Sequence, residues 1–159
     1  MEYEKEGIHN PDEDYMGYIR AGKIDIAGDT NIIFDVTKYY EGGYEADLIK
    51  ADEVSGSGIA TLVLDLDANY FTEGQVVEDL ELRIFQIADN SYEWADALVK
   101  VMYNGSDISY KFSKLVAHFD ANTNEVYAVL TGIVPEPAAV SAILGAIALA
   151  FAAYRRHRR

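Results

Sequence analysis

The residues with chemical potential in this chain are mostly carboxylates. Asp65 and Asp67 stand two apart in an alternating run, as do Asp79 and Glu81, with Glu73 and Glu78 close by. Paired acids hydrolyse glycosides when burial raises one pKa and leaves its partner ionised. On a strand, residues i and i+2 share a face. Leu62, Leu64 and Leu66 take one face here, and Leu80, Leu82 and Ile84 repeat the arrangement against Glu81 and Arg83. Both acid pairs are therefore expected on a wet face, with nothing to split their roles, and no catalytic residue is assigned. Of His9, His118 and His157, only His118 falls within a strand pattern, beside Val116, Ala117 and Phe119. It has neither metal-ligand spacing nor a nucleophile elbow near it, and reads as an ordinary strand histidine. Asp29-Thr30-Asn31 and Asp65 to Asn69 offer oxygens to calcium, but no EF-hand or nonapeptide repeat accompanies them. No metal and no cofactor is expected.

Composition narrows the function classes. The 159 residues carry a net charge of −14, and before Pro135 there are 9 Lys and Arg against 26 Asp and Glu. Phosphate backbones need basic surface, so nucleic acid is excluded as an expected partner. There is no cysteine, which removes thiol catalysis, thiolate metal sites and disulfides. Tyr39, Tyr40, Tyr44, Tyr70, Tyr92, Tyr103, Tyr110 and Tyr127 enrich the body. Exposed rings stack on sugars, but strand packing accounts for most of such residues.

The elements that must position these side chains are short strands. Residues 1–14 are charged, lack apolar periodicity and read as a disordered or truncated lead-in. Residues 15–134 form a β-rich domain. Lys23 to Ala27, Asn31 to Val36, Asp47 to Ala51 and Ala60 to Leu66 are expected strands, with turns at Gly28 to Asn31, Tyr39 to Gly43 and Ser55 to Gly58. Asn104-Gly105 predicts a two-residue hairpin joining Leu98–Tyr103 to Ile108–Phe112. Asp120 to Asn124 predicts a second, joining Leu115–Phe119 to Glu125–Thr131. Ser91 to Ala97, with Trp94, fits a short helix, a loop or a strand equally. The expected class is an all-β body, a β-solenoid end or a β-sandwich, followed by one C-terminal transmembrane α-helix.

That helix is expected within 135–159. Pro135 and Pro137 push the chain towards extended backbone, so a helix starts only after them, with Glu136 near its N-terminus. The run from Ala138 to Tyr154 carries no charge. As a helix it reaches about 25 Å, the short end of what crosses a bilayer. Val140, Ile143, Leu144, Ile147, Leu149 and Phe151 together favour insertion by roughly 3 kcal/mol. Arg155, Arg156, Arg158 and Arg159 follow as a stop signal that keeps the C-terminus cytoplasmic. Ala142, Ala146 and Ala150, beside Ser141 and Gly145, form a strip of small residues of the kind that lets membrane helices approach.

Pro135-Glu136-Pro137, this short span and the terminal arginine cluster, in that order, resemble the PEP-CTERM sorting signal of Gram-negative bacteria. The resemblance covers Val134 to Arg159. It implies recognition and cleavage near the motif by an exosortase, a membrane-embedded transpeptidase. It also implies transient anchoring in inner-membrane lipid, then a place on the cell surface or in an exopolysaccharide matrix. Ala21 to Ile26, and Asp47 to Ala51 with Ser55 to Gly58, resemble rungs near the end of autotransporter-like β-solenoid passengers. On that resemblance Asn31 to Ile87 are the last rungs and Leu98 to Thr131 a hairpin cap. Met1 to Gly7 has no basic or apolar leader. The expectation is therefore the C-terminal part of a longer exported, non-enzymatic protein. The alternative is a secreted carbohydrate-binding or carbohydrate-acting domain carrying the same tag.

Overall fold

Alternation of apolar and polar residues, broken at glycine-rich corners, produces ten strands among the described residues of a computed structural model. It describes residues 18–38 and 43–136, and five residues of the tail: Ala146, Ile147, Leu149, Ala150 and Tyr154. The strands are β1 (Tyr18–Asp25), β2 (Thr30–Lys38), β3 (Tyr44–Ala46), β4 (Leu48–Ser55), β5 (Ala60–Leu66), β6 (Val76–Asn90), β7 (Leu98–Tyr103), β8 (Ser106–Asp107), β9 (Phe112–Asp120) and β10 (Glu125–Ile133). They form two five-stranded sheets, ordered β1-β4-β6-β10-β9 and β3-β2-β5-β7-β8. The body is all-β, as expected.

The chain passes from the first sheet to the second three times, and each pass lies parallel on the one before. Tyr18 pairs with Leu48 and Thr30 with Ala60, the same sequence interval in both sheets. The third pass is offset further: Ile49 pairs with Phe85 and Thr61 with Leu98. The corner between the first two passes depends on small residues. A Cβ on Gly58 would collide with the carbonyl oxygen and the amide nitrogen of Gly28, so only glycine lets these backbones stack. In the third pass the Tyr92 hydroxyl fills the corner, accepting from the Ala60 amide and donating to the Gly58 carbonyl.

Between the sheets lies the core. Leu62, Leu64, Leu66, Leu82 and Ile84 are buried, as the alternation predicts. Leu80 is only half-buried, because Asp79 adopts a φ of 42° where the β6–β10 register shifts, and the bulge lifts the strand. Phe34 meets Phe85 edge to face across the sheets, at 5.5 Å between ring centroids. Trp94, 2% exposed, opens a single 3₁₀ turn, Trp94–Asp96, and packs on Phe85 and Tyr92.

Two expectations are corrected. Leu98–Tyr103 is not part of a cap; it is the third parallel strand of the second sheet, because Leu62 and Leu64 pair with Val99 and Val101. Nor does Ile108–Phe112 form the second arm of the Asn104-Gly105 hairpin. That arm is only Ser106–Asp107, followed by a 3₁₀ turn over Ser109–Lys111. The Asp107 carboxylate accepts from the Ser109 amide, while the Ser109 hydroxyl accepts from the Val101 amide, and together they bend the chain out of the ladder. The second hairpin forms as predicted, and β10 pairs antiparallel with both β9 and β6.

Candidate functional site

The last described strand ends at Ile133, two residues before the proline motif. Past Ile133, the Val134 amide donates to the Gln75 carbonyl at 3.0 Å and the Gly74 amide donates to the Val134 carbonyl at 2.7 Å. Val134 is fully buried, Pro135 half-buried and Glu136 exposed. Pro135 has no N–H, so the ladder cannot continue through it. Glu136 leans over Gly74, where a Cβ would come within 2.8 Å of its Oε1; Gly74 holds a φ of +77°, which favours glycine. The supporting turn is rigidly tied. Gln75 Nε2 donates to the Tyr44 hydroxyl at 2.6 Å, its Oε1 accepts from the Thr72 amide, and Tyr44 stacks on Phe71 at 4.4 Å.

Beyond Glu136 the tail residues that are described, Ala146, Ile147, Leu149, Ala150 and Tyr154, are helical and exposed; Leu149 is 74% exposed. Among the described residues no helix is long and apolar enough to cross a membrane. Pro137, Ala138, Val140, Ile143, Leu144, Gly145, Phe151, Arg155, Arg156, Arg158 and Arg159 lie outside the described residues, as do the lead-in and the turn at 39–42.

A second polar constellation lies on the outer face of the first sheet. One register row crosses all five strands as Arg20, Lys50, Gln86, Glu125 and Asp120. In the adjoining row Arg83 pairs with Tyr127 and Tyr127 with His118. Arg83 Nη1 donates to Glu125 Oε1 at 2.7 Å, and the Tyr127 hydroxyl donates to Glu125 Oε2. The two charged side chains are only 19% and 12% exposed. Burial pushes the Glu125 pKa up, but bonds from Tyr127 and Arg83, the Arg83 charge and the Thr123 hydroxyl outweigh it, leaving the carboxyl below its usual range. The Tyr127 phenol, held against that carboxylate and partly buried, is pushed up to about 12. Beside this network a groove of about 360 Å³ is lined by Arg20, Lys50, Asp52, Gln86, Thr123 and Asn124, among others.

The acids singled out in the sequence do not converge on a reaction centre. Asp65 lies in register with Asp35, and the Asp35 amide donates to Asp47 Oδ2 at 3.0 Å. Burial, then the charges of Asp35 and Asp67, raise the Asp65 pKa; burial raises that of Asp47 against the lowering bond from the Asp35 amide, and the Asp35 charge adds to the rise. Asp67 caps a turn, its Oδ1 accepting from the Asn69 amide at 2.8 Å. Asp79, exposed, is held below the usual carboxylate range chiefly by its bond to Lys114. Among the described residues no group of three or more His, Asp or Glu is placed to hold a metal ion. His118 is exposed and borders a groove with Glu93 and Trp94.

The Arg83–Glu125–Tyr127 network and the Arg20–Lys50 pair are absent from the sequence reading. One signal for the pair is present in the sequence: Arg20 and Lys50 are separated by the same interval as Gly28 and Gly58, and as Asp35 and Asp65. Compared with family models, curated proteins and solved structures, the chain matches none.

Proposed function

We propose that this chain is an exported, non-enzymatic surface or matrix protein, with its three parallel passes forming the closing rungs of a β-solenoid. Its residues 135–159 serve as a PEP-CTERM-type sorting signal. Pro135, Glu136 and Pro137 are read by an exosortase-like transpeptidase, Ala138 to Tyr154 hold the chain in the inner membrane, and the arginines keep its end cytoplasmic. Cleavage then releases the body to the surface.

The observation carrying this reading is the junction at Val134. Among the described residues the last backbone bonds to the body are made there, and the next residues are the half-buried Pro135 and the exposed Glu136. A processing enzyme thus meets the motif at the boundary of the fold and need not unfold a strand. The exposure of Ile147 and Leu149 agrees with a segment whose apolar surface is meant for lipid.

The test is Glu136→Ala in a host that carries an exosortase. The substitution lies outside the uncharged run, so membrane fractionation should be unchanged while maturation is lost. Cleavage of the mutant at the wild-type rate would leave only a plain membrane anchor.

The carbohydrate-binding alternative draws on one feature, the polar groove beside Lys50. It is compatible with the same tail.

A further inference from the structure

We infer that the open edge of the first sheet, strand β1, binds a second copy of this chain, the two β1 strands pairing antiparallel about a twofold axis. The inference rests on the solenoid reading of the body, whose next rung the partner copy then supplies, and not on how the tail is processed.

It starts from what each pass receives from its neighbour. Among the described residues β1 pairs with β4 on one side and with no strand on the other. Matching positions in the first two passes show the layer that is lacking. Ile19 is 55% exposed, whereas its register partner Ile49 is 9% exposed. Ala21 and Ile24 are half-buried where Ala51 and Val54 are buried, and Ile32 is half-buried where Leu62 is buried. An edge strand also presents a row of unpaired amides and carbonyls, a template for another strand. The other edges are better closed. β3 lies along the end of β2 at Val36 to Lys38, and β8 along the end of β7. β9 already packs Phe112, Leu115, Ala117 and Phe119 against the core.

The sequence of β1 is complementary to itself. Ala21 and Ile24 share the core side with the buried Ala51 and Val54, and opposite residues of an antiparallel pair share a face. Setting Ala21 opposite Ile24 of the second copy places Arg20 opposite that copy's Asp25. By symmetry Asp25 meets the other Arg20. A register with Ile24 opposite Ile19 would instead bring Arg20 against Lys23, two like charges. Arg20 and Asp25 are both exposed, while Lys23 is held by Glu53 of its own chain at 2.9 Å. Twofold pairing is isologous, so it closes and leaves neither β1 edge open to further copies. A pairing centred on residues 20–25 is small against the roughly 1200 Å² of a stable interface, so the dimer is reversible. β10 ends against Val76, beyond the Tyr18 end of β1, so the two tails leave in opposite directions. That geometry suits bodies already released from the membrane.

The experiment is sedimentation equilibrium on the full chain in a density-matched mild detergent, over a wide range of concentration. The wild type should show a reversible monomer–dimer equilibrium. Arg20→Glu and Asp25→Arg each set like charges opposite one another, and each should weaken the dimer by at least about tenfold. Mixed in equal amounts, the two variants should associate as the wild type does, because their heterodimer restores both opposite-charge pairs. The doubly reversed Arg20→Glu/Asp25→Arg should recover the dimer alone. Both positions are exposed, so every thermal melt should match the wild type. A chain monomeric at every concentration, a dimer indifferent to the single reversals, or a mixture that fails to recover would each overturn the assignment. Indifference would also move the contact to the tail, which no variant touches. None of these readouts involves cleavage, so failure here and failure of the sorting signal are separable.

Discussion

The outer faces of the two sheets carry ionisable residues in opposite states. On the first sheet, stacking sets Lys23 against Glu53 at 2.9 Å, and the β10 strand brings Glu125 to Arg83 at 2.7 Å. On the second, the same kind of stacking sets Asp35 beside Asp65, with Asp47 and Asp67 adding charge of the same sign. Parallel in-register pairing repeats whatever the sequence repeats, and like charges in adjacent strands repel. The first face keeps one like-charge row, Arg20 beside Lys50, but its repeat changes sign where Lys23 meets Glu53, and a non-repeating hairpin is added at β10. The second has no such interruption, and its Asp47 and Asp65 are pushed up in pKa while Glu125 is held down. A face built only from repeats inherits its neighbours' charge; a face joined by a foreign strand can neutralise it.

The largest break in this comparison comes from removing the register both faces share. Gly58→Ala forces a Cβ into the backbone of Gly28 and should cost about 2–4 kcal/mol, seen as a lower denaturant midpoint. An unchanged midpoint would mean the corner relaxes freely.

Next is Glu125→Gln, which takes away the anion that Arg83 Nη1 bonds in a half-buried site. The loss should be about 2 kcal/mol at pH 7, below the full cost of breaking a buried pair because water still reaches both groups. The folded pKa of Glu125 is lowered, so its contribution is complete above the ordinary glutamate range near ~4.3 and disappears as pH falls through the lowered value. Tyr127 is raised to about 12, so its contribution is complete below ~10 and is lost as pH rises towards about 12. The gap between wild type and variant should therefore close at the acid end of a pH-stability curve and only narrow at the alkaline end, where Arg83 keeps its charge and its bond to Glu125.

Asp65→Asn should have a smaller effect of the opposite sign, stabilising by roughly 0.5 kcal/mol at pH 7 after allowance for screening. Its folded pKa is raised, so the native state holds the proton more tightly than the unfolded chain. The penalty is full above that raised value and vanishes as pH falls below ~3.9, where variant and wild type should coincide. Destabilisation by Asp65→Asn would show that the aspartates on this face are not in conflict.

Smallest of all is Lys23→Ala. Lys23 and Glu53 are 59% and 40% exposed, and the thermal midpoint should not move measurably. A clear drop would show that stacked surface pairs contribute more than the comparison assumes.

Much of the body was legible because alternation is a local property. The leucines of Leu62, Leu64 and Leu66 had to face inward once Asp65 and Asp67 were to stay wet, and Asp120 to Asn124 had to turn the chain. Leu80 was not legible, because a bulge at Asp79 breaks the period of two that placed it. The repeat was hidden for a different reason. Its first interval is shared by both sheets, but the third pass carries insertions, so the pairs Leu62–Val99 and Ile49–Phe85 fall out of step with it. Backbone ladders tolerate such insertions, since the bonds are made by amides and carbonyls whatever side chains they carry.

By itself, then, the sequence determined which side chains go in or out wherever the alternation is unbroken, where the glycine-rich corners lie, and that Ala138 to Tyr154 carry no charge. These follow from composition and spacing within a few residues, where hydration and backbone geometry act alone. Only the tertiary structure decided that Arg20 stands beside Lys50, that Arg83 reaches the distant Glu125, and that Glu136 rests on Gly74. Such pairings depend on loop lengths and on which strand edges meet, quantities set by packing of the whole core rather than by any stretch of it.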